Sequence, residues 1–402
     1  MILRSSWSLV ACRLAACTLW VAVVASASAA TWYPELKLES RYDDNVLHTT
    51  RGSDDFVGVV TPGLALASHE PVTSYELAGR TGFTSYTRTG IKSSRLDEAW
   101  LDLSHKPDYT TSVDVHARYL QSLDPIDFSR GAVTSRHNVT AASANATFDL
   151  HWIGAAGELT RWDYAAGDLA DGNSVDGTGR LFPLNTRDNR VALAVRHREL
   201  RIRDLVSLEA DYETAAYRRH HTETLWSEVE AGRVAIQFHD GSANEVKPAV
   251  ALRAGRTGGT ERAPTTLRLE VANDVATTFD ADVSHSGAGR FADIELQTSV
   301  DADGGIYHVA TLDRRASLAA RDTLPTGQVI DVMGSFGRIR PLRGSNPKVD
   351  VWRASIGFSM PLGPYLSGRA GWDFLRQDAP VGQAAADFDR NRYSIALTSG
   401  LR

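Results

Sequence analysis

The sequence predicts an all-β fold: a single closed antiparallel transmembrane β-barrel of about 18 strands, with about 16 as the next alternative, after an N-terminal signal peptide. Three observations predict it. Apolar and polar residues alternate with a period of two along most of the chain. Short and long connections alternate between the predicted strands. The first and last segments both have strand patterns, so they can pair and close the sheet.

The first thirty residues predict a secretory signal peptide. Arg4 and Arg13 precede an apolar run from Leu14 to Val24, and small residues follow it, as at a signal-peptidase site. This run is shorter than the roughly 20 residues that a membrane-spanning helix needs. We therefore expect two regions, a signal peptide at 1–30 and an outer-membrane β-barrel at 31–402.

Composition excludes several classes of protein. The 402 residues carry 43 Lys and Arg against 49 Asp and Glu, which disfavours a polybasic nucleic-acid binder, so no nucleic-acid partner is expected. The two cysteines, Cys12 and Cys17, both lie in the predicted signal peptide. The mature chain should therefore lack disulfides, thiolate metal sites and a cysteine nucleophile. Lipidation of Cys17 is the alternative, but no leucine stands at the usual position upstream.

The first predicted strand contains Leu36, Leu38 and Tyr42 on one face and charged residues on the other, and the last runs from Tyr393 to Leu401. Similar alternation predicts the strands between them. Examples are Val113–Tyr119, Val191–Val195, Val206–Tyr212, Leu267–Val271, Trp352–Met360 and Leu366–Phe374. An unpaired charge is too costly to bury, so the charged face should meet water. No second apolar layer is evident, so the apolar face should meet lipid.

Connections set the expected orientation, with short turns in the periplasm and long loops outside. The predicted tight turns are Glu70–Thr73, Lys106–Asp108, Glu199–Ile202 and Pro361–Pro364, and the predicted long loops are Asp43–Asp55, Thr87–Leu96, Ser122–Ser135 and Ala165–Arg187. The last of these loops is the candidate for folding into the lumen. About nineteen segments look like strands, and bacterial single-chain barrels have an even number. We therefore expect that one segment between Trp226 and Asp322 is not a strand.

The predicted lumenal face carries charges of both signs that could contact a solute. These residues are Arg80, Arg118, Arg190, Arg196, Glu209, Asp211, Glu213, Arg268, Glu270, Arg353, Arg369 and Asp373. The alternative is that charges on neighbouring strands pair and brace the wall. No catalytic set, metal site or cofactor is predicted. His220, His221 and Glu223 are expected in a loop, and the run from Asp301 to Gly305 lacks the later acidic ligand of a calcium loop.

The first hairpin also resembles a known family. Its pattern is Tyr42-Asp43-Asp44-Asn45-Val46, then Asp54-Asp55-Phe56, then Val60-Thr61-Pro62-Gly63-Leu64-Ala65-Leu66, followed by Tyr75-Glu76-Leu77 and Tyr86. It resembles the beta-barrel porin type 2 family and the outer-membrane barrels encoded with exopolysaccharide systems. The resemblance implies an integral outer-membrane barrel that assists polysaccharide passage. The residues alone assign structural roles to this motif, since Asp and Asn terminate strands and Pro62 favours a bend.

Together these patterns predict a passive, non-enzymatic channel in the cell outer membrane. Its solutes would be polysaccharide or other polar or anionic molecules. One alternative is a structural or surface-binding barrel with a plugged lumen, whose external loops bind a polymer or partner, and another is a general diffusion porin. The expected partners are outer-membrane lipid and lipopolysaccharide, the barrel assembly machinery, and polysaccharide with its export-system proteins.

Overall fold

A computed structural model describes most of the chain after residue 29. The described residues are 30–48, 50–90, 94–108, 111–122, 139–164, 171–202, 205–238, 244–260, 263–287, 289–302, 310–342, 348–379 and 387–400. The signal-peptide prediction, with Cys12 and Cys17, lies outside them, as does most of the predicted loop Ser122–Ser135.

The described residues form one sheet of twenty strands. The strands are β1 (Thr31–Asp43), β2 (Asp55–His69), β3 (Thr73–Tyr86), β4 (Ser94–His105), β5 (Ser112–Ser122), β6 (Val139–Asp149), β7 (Ile153–Tyr164), β8 (Gly172–Asn185), β9 (Asn189–Ile202), β10 (Leu205–His220), β11 (Leu225–Phe238), β12 (Glu245–Thr260), β13 (Ala263–Asn273), β14 (Thr277–Gly287), β15 (Arg290–Ala302), β16 (Ala310–Thr323), β17 (Val329–Pro341), β18 (Val349–Gly363), β19 (Leu366–Asp378) and β20 (Phe388–Gly400).

The sheet closes on itself between its first and last strands. Each strand pairs antiparallel with its neighbours in sequence, and β1 pairs with β20 from Glu35 opposite Gly400 to Asp43 opposite Arg392. Closure satisfies the backbone groups that an open edge would expose. The predicted closed antiparallel β-barrel is therefore confirmed, but the expected strand number of about 18 is wrong.

One missed strand explains much of the wrong count. The predicted long loop Ala165–Arg187 contains β8, whose residues pair with β7 and β9. Gly172, Gly177 and Gly179 interrupt the apolar alternation of this strand, so its sequence has the composition of a loop. The proposal that this segment folds into the lumen is wrong for Gly172–Asn185, which forms part of the wall.

The other errors follow from the same slip. The closely spaced segments between Trp226 and Asp322 all form strands, so removing one of them from the count was wrong. Glu199–Ile202 is the end of β9 rather than a tight turn. This strand end lies at the opposite end of the barrel from the predicted turn after His69, because β8 adds one crossing of the wall.

The outer face carries an apolar belt. Large apolar side chains on the face of Leu36 and Leu38 are exposed in nearly every strand, and the pairing register follows this face from strand to strand. The exposed set includes Val60, Leu64, Leu77, Phe83, Leu159, Leu193, Val195, Val229, Leu252, Leu269, Val271, Ile294, Leu296, Leu318, Val332, Ile356, Phe358, Ile395 and Leu397. An apolar surface of this extent on a closed, even-stranded barrel is that of an outer-membrane-type β-barrel.

The two ends of the barrel differ. The turn end holds the termini of the sheet, Thr31 and Gly400, with tight connections such as that between His69 and Thr73. The opposite end, which we call the loop end, holds the connection between Asp43 and Asp55. Among the described residues, no helix is long and apolar enough to cross a membrane.

Candidate functional site

The inner wall of the barrel is charged. Lys37, Glu39 and Arg41 face away from the belt on β1, and their register partners continue this inner face around the ring. Of the predicted solute-contacting residues, nine lie on the inner face by register. They are Arg80, Arg118, Arg190, Arg196, Arg268, Glu270, Arg353, Arg369 and Asp373.

Many of these inner charges are paired with charges on other strands of the wall. Arg80 Nη2 lies 2.6 Å from Glu98 Oε2, and Arg190 Nη2 donates to Asp149 Oδ2 over 2.9 Å. Arg253 contacts three carboxylates. Those carboxylates are Glu228 at 2.8 Å, Glu230 at 2.6 Å and Glu270 at 2.9 Å. The ion pairs brace the wall, as the alternative interpretation expects, and they also fix the charges that a solute would meet.

One such pair depends on a glycine. Arg369 Nη2 on β19 lies 2.6 Å from Asp331 Oδ2 on β17, so the pair crosses over β18. Gly357 lies beneath it, and a Cβ there would overlap Arg369 Nη2. Any side chain at Gly357 would therefore displace this lumenal ion pair.

An acidic strip lies on the inner face of β14 and β15. Asp280, Asp282 and Asp293 point inward by register, and Asp282 is directly opposite Glu295. None of the three aspartates makes an ion pair with the described residues. By contrast, Arg196 on β9 and Arg218 on β10 are paired with Asp176 and Glu228. Arg268 stands opposite Asp282 on the same face and pairs with Glu270 at 3.4 Å, so the strip carries more negative than positive charge.

The three remaining predicted residues require a correction. Register places Glu209, Asp211 and Glu213 on the outer face of β10, whereas Leu208 and Tyr212 face inward. The sequence-based interpretation took the apolar residues of this segment as lipid-facing. Leu208, Ala210 and Tyr212 are instead buried, with Leu208 fully inaccessible.

The reason is a packed unit at the loop end, which we call the cap. It consists of the loop-end halves of β9–β12 together with the loop-end part of β15–β16. Inward apolar residues of β9–β12 form its core with residues of the β15–β16 hairpin. The core contains Leu200, Ile202, Leu208, Ala210, Tyr212, Val234, Ile236, Phe238, Ala249, Val275, Val300, Ala310 and Leu312.

The β15–β16 hairpin enters the cap with its outer face. Val300 and Leu312 are opposite each other and share the register face of the lipid-exposed Ile294 and Leu318. At the loop end this face packs on the inner face of β9–β12. Arg198 donates a hydrogen bond to the Val300 carbonyl, and Ala310 N donates to Ser207 Oγ over 3.1 Å. The hairpin therefore lies inside the ring and narrows the mouth of the barrel.

The first loop also folds inward and contacts the last strand, next to the β1–β20 pairing that closes the sheet. Asp44 Oδ1 accepts from Asn391 N over 2.7 Å, and Asp44 Oδ2 accepts from Asn391 Nδ2 over 2.9 Å. Asn45 Nδ2 donates to the Asp389 carbonyl over 2.9 Å. The buried His48 ring stacks on Phe388, with 4.9 Å between ring centroids. The Asp43-Asp44-Asn45 motif thus ties the first loop to the last strand, a structural role.

Asp55 anchors the second external connection, at the loop end of β2 and outside the belt. Its Oδ1 accepts hydrogen bonds from Thr87 N, Thr87 Oγ1 and Arg88 N, and its Oδ2 accepts from Thr89 N and Thr89 Oγ1, all within 3.0 Å. Burial favours the neutral carboxyl, but these donors outweigh it and hold the pKa of Asp55 well below its usual value. Asp55 therefore stays ionised and keeps this loop in place.

Among the described residues, one group of three could offer ligands to a metal ion. His197, Glu209 and Asp211 place one ligand atom each within 4.8 Å of one another on the outer surface of the cap. His197 Nδ1 already lies 2.7 Å from Asp211 Oδ1. Of the other histidine group, His220 is the last residue of β10, so its placement in a loop was wrong. His221 and Glu223 do lie in the connection to β11, where His221 Nε2 contacts Ser227 Oγ and Glu223 pairs with Arg187.

Comparisons with known proteins give only distant likenesses. No family model matches the chain, and no curated protein matches it. The resemblance to the beta-barrel porin type 2 family therefore stays a prediction.

Among solved structures, the chain is similar to the outer membrane protein opdK from Pseudomonas aeruginosa at 11% identity and a TM-score of 0.37, over 92% of this chain and 99% of that one. It is similar to Pseudomonas aeruginosa OccK2 (OpdF) at 10% identity and a TM-score of 0.41, over 93% and 98%. For the siderophore receptor PirA from Pseudomonas aeruginosa the values are 8% and 0.43, over 92% and 80%.

Proposed function

We propose that this protein is a passive, non-enzymatic channel for polar solutes in the outer membrane. The observation that carries the proposal is the contrast between a charged inner wall and an apolar outer belt on one closed barrel. Charges on the inner wall require water, so a hydrated lumen crosses the belt. The proposal implies contact with lipid and lipopolysaccharide and insertion by the barrel assembly machinery.

The charge distribution supports selection among ions. The acidic strip at Asp280, Asp282 and Asp293 forms no ion pair among the described residues and holds more acidic than basic side chains, whereas Arg190 and Arg196 of β9 are paired with acids. A lumen with such a strip attracts small cations and repels small anions along that wall. Arg118, on β5, is exposed on the inner wall and has no ion pair among the described residues. Anionic groups of a larger solute could contact Arg118, away from the acidic strip.

The finer proposal is passage of polysaccharide or another anionic solute. Its support is the first-hairpin motif, which resembles that of exopolysaccharide-associated barrels, and the mixed charge of the lumen. Export-system proteins would then be partners. A survey of the neighbouring genes tests this directly: glycosyltransferases and an export lipoprotein would support it, and their absence would leave a general diffusion porin.

Conductance in planar lipid bilayers tests the channel. We expect stable channels with cation preference in a salt gradient, and a smaller preference when Asp280, Asp282 and Asp293 are changed together to asparagine. Asp378→Asn is the matched control, because Asp378 lies on the outer face beside Arg376. Purified, folded barrels that never conduct would contradict the proposal.

The cap supports a second candidate, a barrel with a plugged lumen that binds a polymer or partner at its surface. Two apolar clusters occupy the loop end of the lumen, one in the cap and one around Ile339, Val351 and Phe388. If the bilayer shows no channels, and shortening the connection between Ala302 and Ala310 creates them, the cap is a plug and this candidate is preferred.

A further inference from the structure

A cavity of about 370 Å³ lies between the two layers of the loop end. One wall is the inner face of β11 and β12, and the other is the outer-register face of β16 and β17, with the β13–β14 connection beside it. Its lining residues are Phe238, Lys247, Val275, Ala276, Thr277, Leu312, Arg314, Arg340 and Leu342. The cavity is separate from the acidic strip, which lies on β14 and β15.

The cavity lining is cationic and contains no carboxylate. Arg314 and Arg340 come from adjacent strands, with Arg340 opposite Leu312 and two residues out of register with Arg314. Neither guanidinium has a hydrogen bond or an ion pair with the described residues. By contrast, Arg338, the preceding arginine on the same face of β17, donates two hydrogen bonds to Asp350 at 2.7 and 3.0 Å.

Lys247 is the third cation of the lining. Its Nζ lies 2.7 Å from Glu245 Oε2, so this cation, unlike the guanidinium groups of Arg314 and Arg340, has an ionic partner among the described residues. Unpaired guanidinium groups that face one cavity repel each other, and an anion between them would relieve that repulsion. The geometry therefore favours a bound anion over an empty cavity.

Apolar side chains define the rest of the ligand. Phe238, Val275 and Leu342 line the cavity beside the cations, and Val275 belongs to the buried core of the cap. A ligand that fits both surfaces has an anionic group for the arginines and a ring face for the apolar side. The volume accommodates a molecule of one or two rings.

We propose that the cap cavity is a binding site for a small ring-bearing carboxylate, which Arg314 and Arg340 hold by its anionic group. This inference goes beyond the channel function, because a site in the cap binds its ligand whether or not the lumen conducts. Two sources share this chemistry, acidic sugars and aromatic acids, and the choice of probes distinguishes them.

Calorimetric titration of the purified full barrel in detergent tests the site. The probes are galacturonate and benzoate, with galactose and benzyl alcohol as their uncharged counterparts. We expect at least one acid to bind, with an affinity that falls as the salt concentration rises, and its uncharged counterpart to bind about tenfold more weakly or not at all. Binding of galacturonate alone identifies a sugar site, and binding of benzoate alone identifies an aromatic-acid site.

Substitutions locate the binding. Arg314→Gln and Arg340→Gln should each weaken the bound acid about tenfold, since each removes a charge-assisted contact, while Arg314→Lys should retain part of the affinity. Arg376→Gln is the control, because Arg376 is exposed on the outer face of β19 and pairs with Asp378. Heat-modifiable migration in gels confirms that each variant is folded.

The proposal is overturned if neither acid binds the folded protein. It is also overturned if the uncharged counterparts bind as well as the acids, or if both glutamine variants bind like the control. Conductance is measured separately, so failure of this site and failure of the channel proposal give different results.

Discussion

The two halves of β9–β12 carry opposite polarity. Near the turn end, Leu193 and Val229 face outward and are exposed, whereas near the loop end Leu208 and Ile236 face inward and are buried. Alternation continues through both halves, with a single irregularity between Val206 and Leu208. The surroundings therefore decide which face is apolar, because lipid surrounds the turn-end half and the loop-end half encloses the β15–β16 hairpin.

The strongest test places a charge inside the cap. Ile236→Arg should lower the free energy of unfolding by about 3–5 kcal/mol, because an unpaired charge would be buried in the cap core. Denaturant unfolding of barrels refolded into lipid measures it. Gln237→Arg is the control on the adjacent outward position, where it meets Glu209, and should change stability little. Equal costs at both positions would mean that the cap does not exist.

The two faces of the barrel wall should differ in how well they tolerate an added charge. Val229→Arg places a charge on the lipid face and should cost about 2–4 kcal/mol of unfolding free energy. Thr278→Arg faces the lumen next to Asp280 on the same strand and should be tolerated. The same unfolding measurement compares them. A tolerated Val229→Arg would contradict the assignment of this surface to lipid.

A smaller effect is expected at the anchored loop. Asp55→Asn replaces an acceptor with an amide N–H that faces donors of the Thr87–Thr89 segment, and should cost about 1–3 kcal/mol. Because the pKa of Asp55 is lowered on folding, the wild-type contribution is full above the ordinary aspartate pKa of about 3.9 and is lost as pH falls further. Melting temperatures of both proteins at neutral and acid pH should converge at acid pH; a constant difference would exclude this role.

The smallest effect is expected on the cap surface. Glu213 and Arg233 form an exposed pair with 2.7 Å between Oε2 and Nη2. Glu213→Ala should change the free energy of unfolding by about 0.2–1 kcal/mol, since solvent screens such pairs. A larger loss in the same unfolding assay would place Glu213 in a lumenal network, as the sequence alone suggested.

The alternation of apolar and polar residues was enough to predict the strands whose two faces it sets directly. The alternation of β1, β18 and β20 identified strands and faces correctly, and the terminal strands predicted closure. Glycine-rich β8 was missed because its pairing, rather than its side chains, makes it a strand.

The faces of β10 could not be predicted from its own residues. The alternation predicts that Glu209, Asp211 and Glu213 face the lumen. The contact with β15–β16, about a hundred residues away in sequence, turns the apolar face of β10 inward instead and leaves these three acids on the outer face. The unpaired Arg314 and Arg340 were missed for the same reason, because the cavity they line forms between strands distant in sequence.

Cysteine scanning along β10 tests the reversal of polarity most directly, since the only cysteines of the sequence are Cys12 and Cys17. Single cysteines at positions 208 to 217 are treated with a membrane-impermeant maleimide on intact cells, and a bound fluorophore then reports quenching by brominated lipid. We predict that Glu209→Cys and Asp211→Cys react from outside, that Leu208→Cys and Ala210→Cys do not, and that only Ala215→Cys and Tyr217→Cys are quenched by lipid. Quenching at Leu208→Cys and Ala210→Cys, with no reaction at Glu209→Cys, would contradict the account.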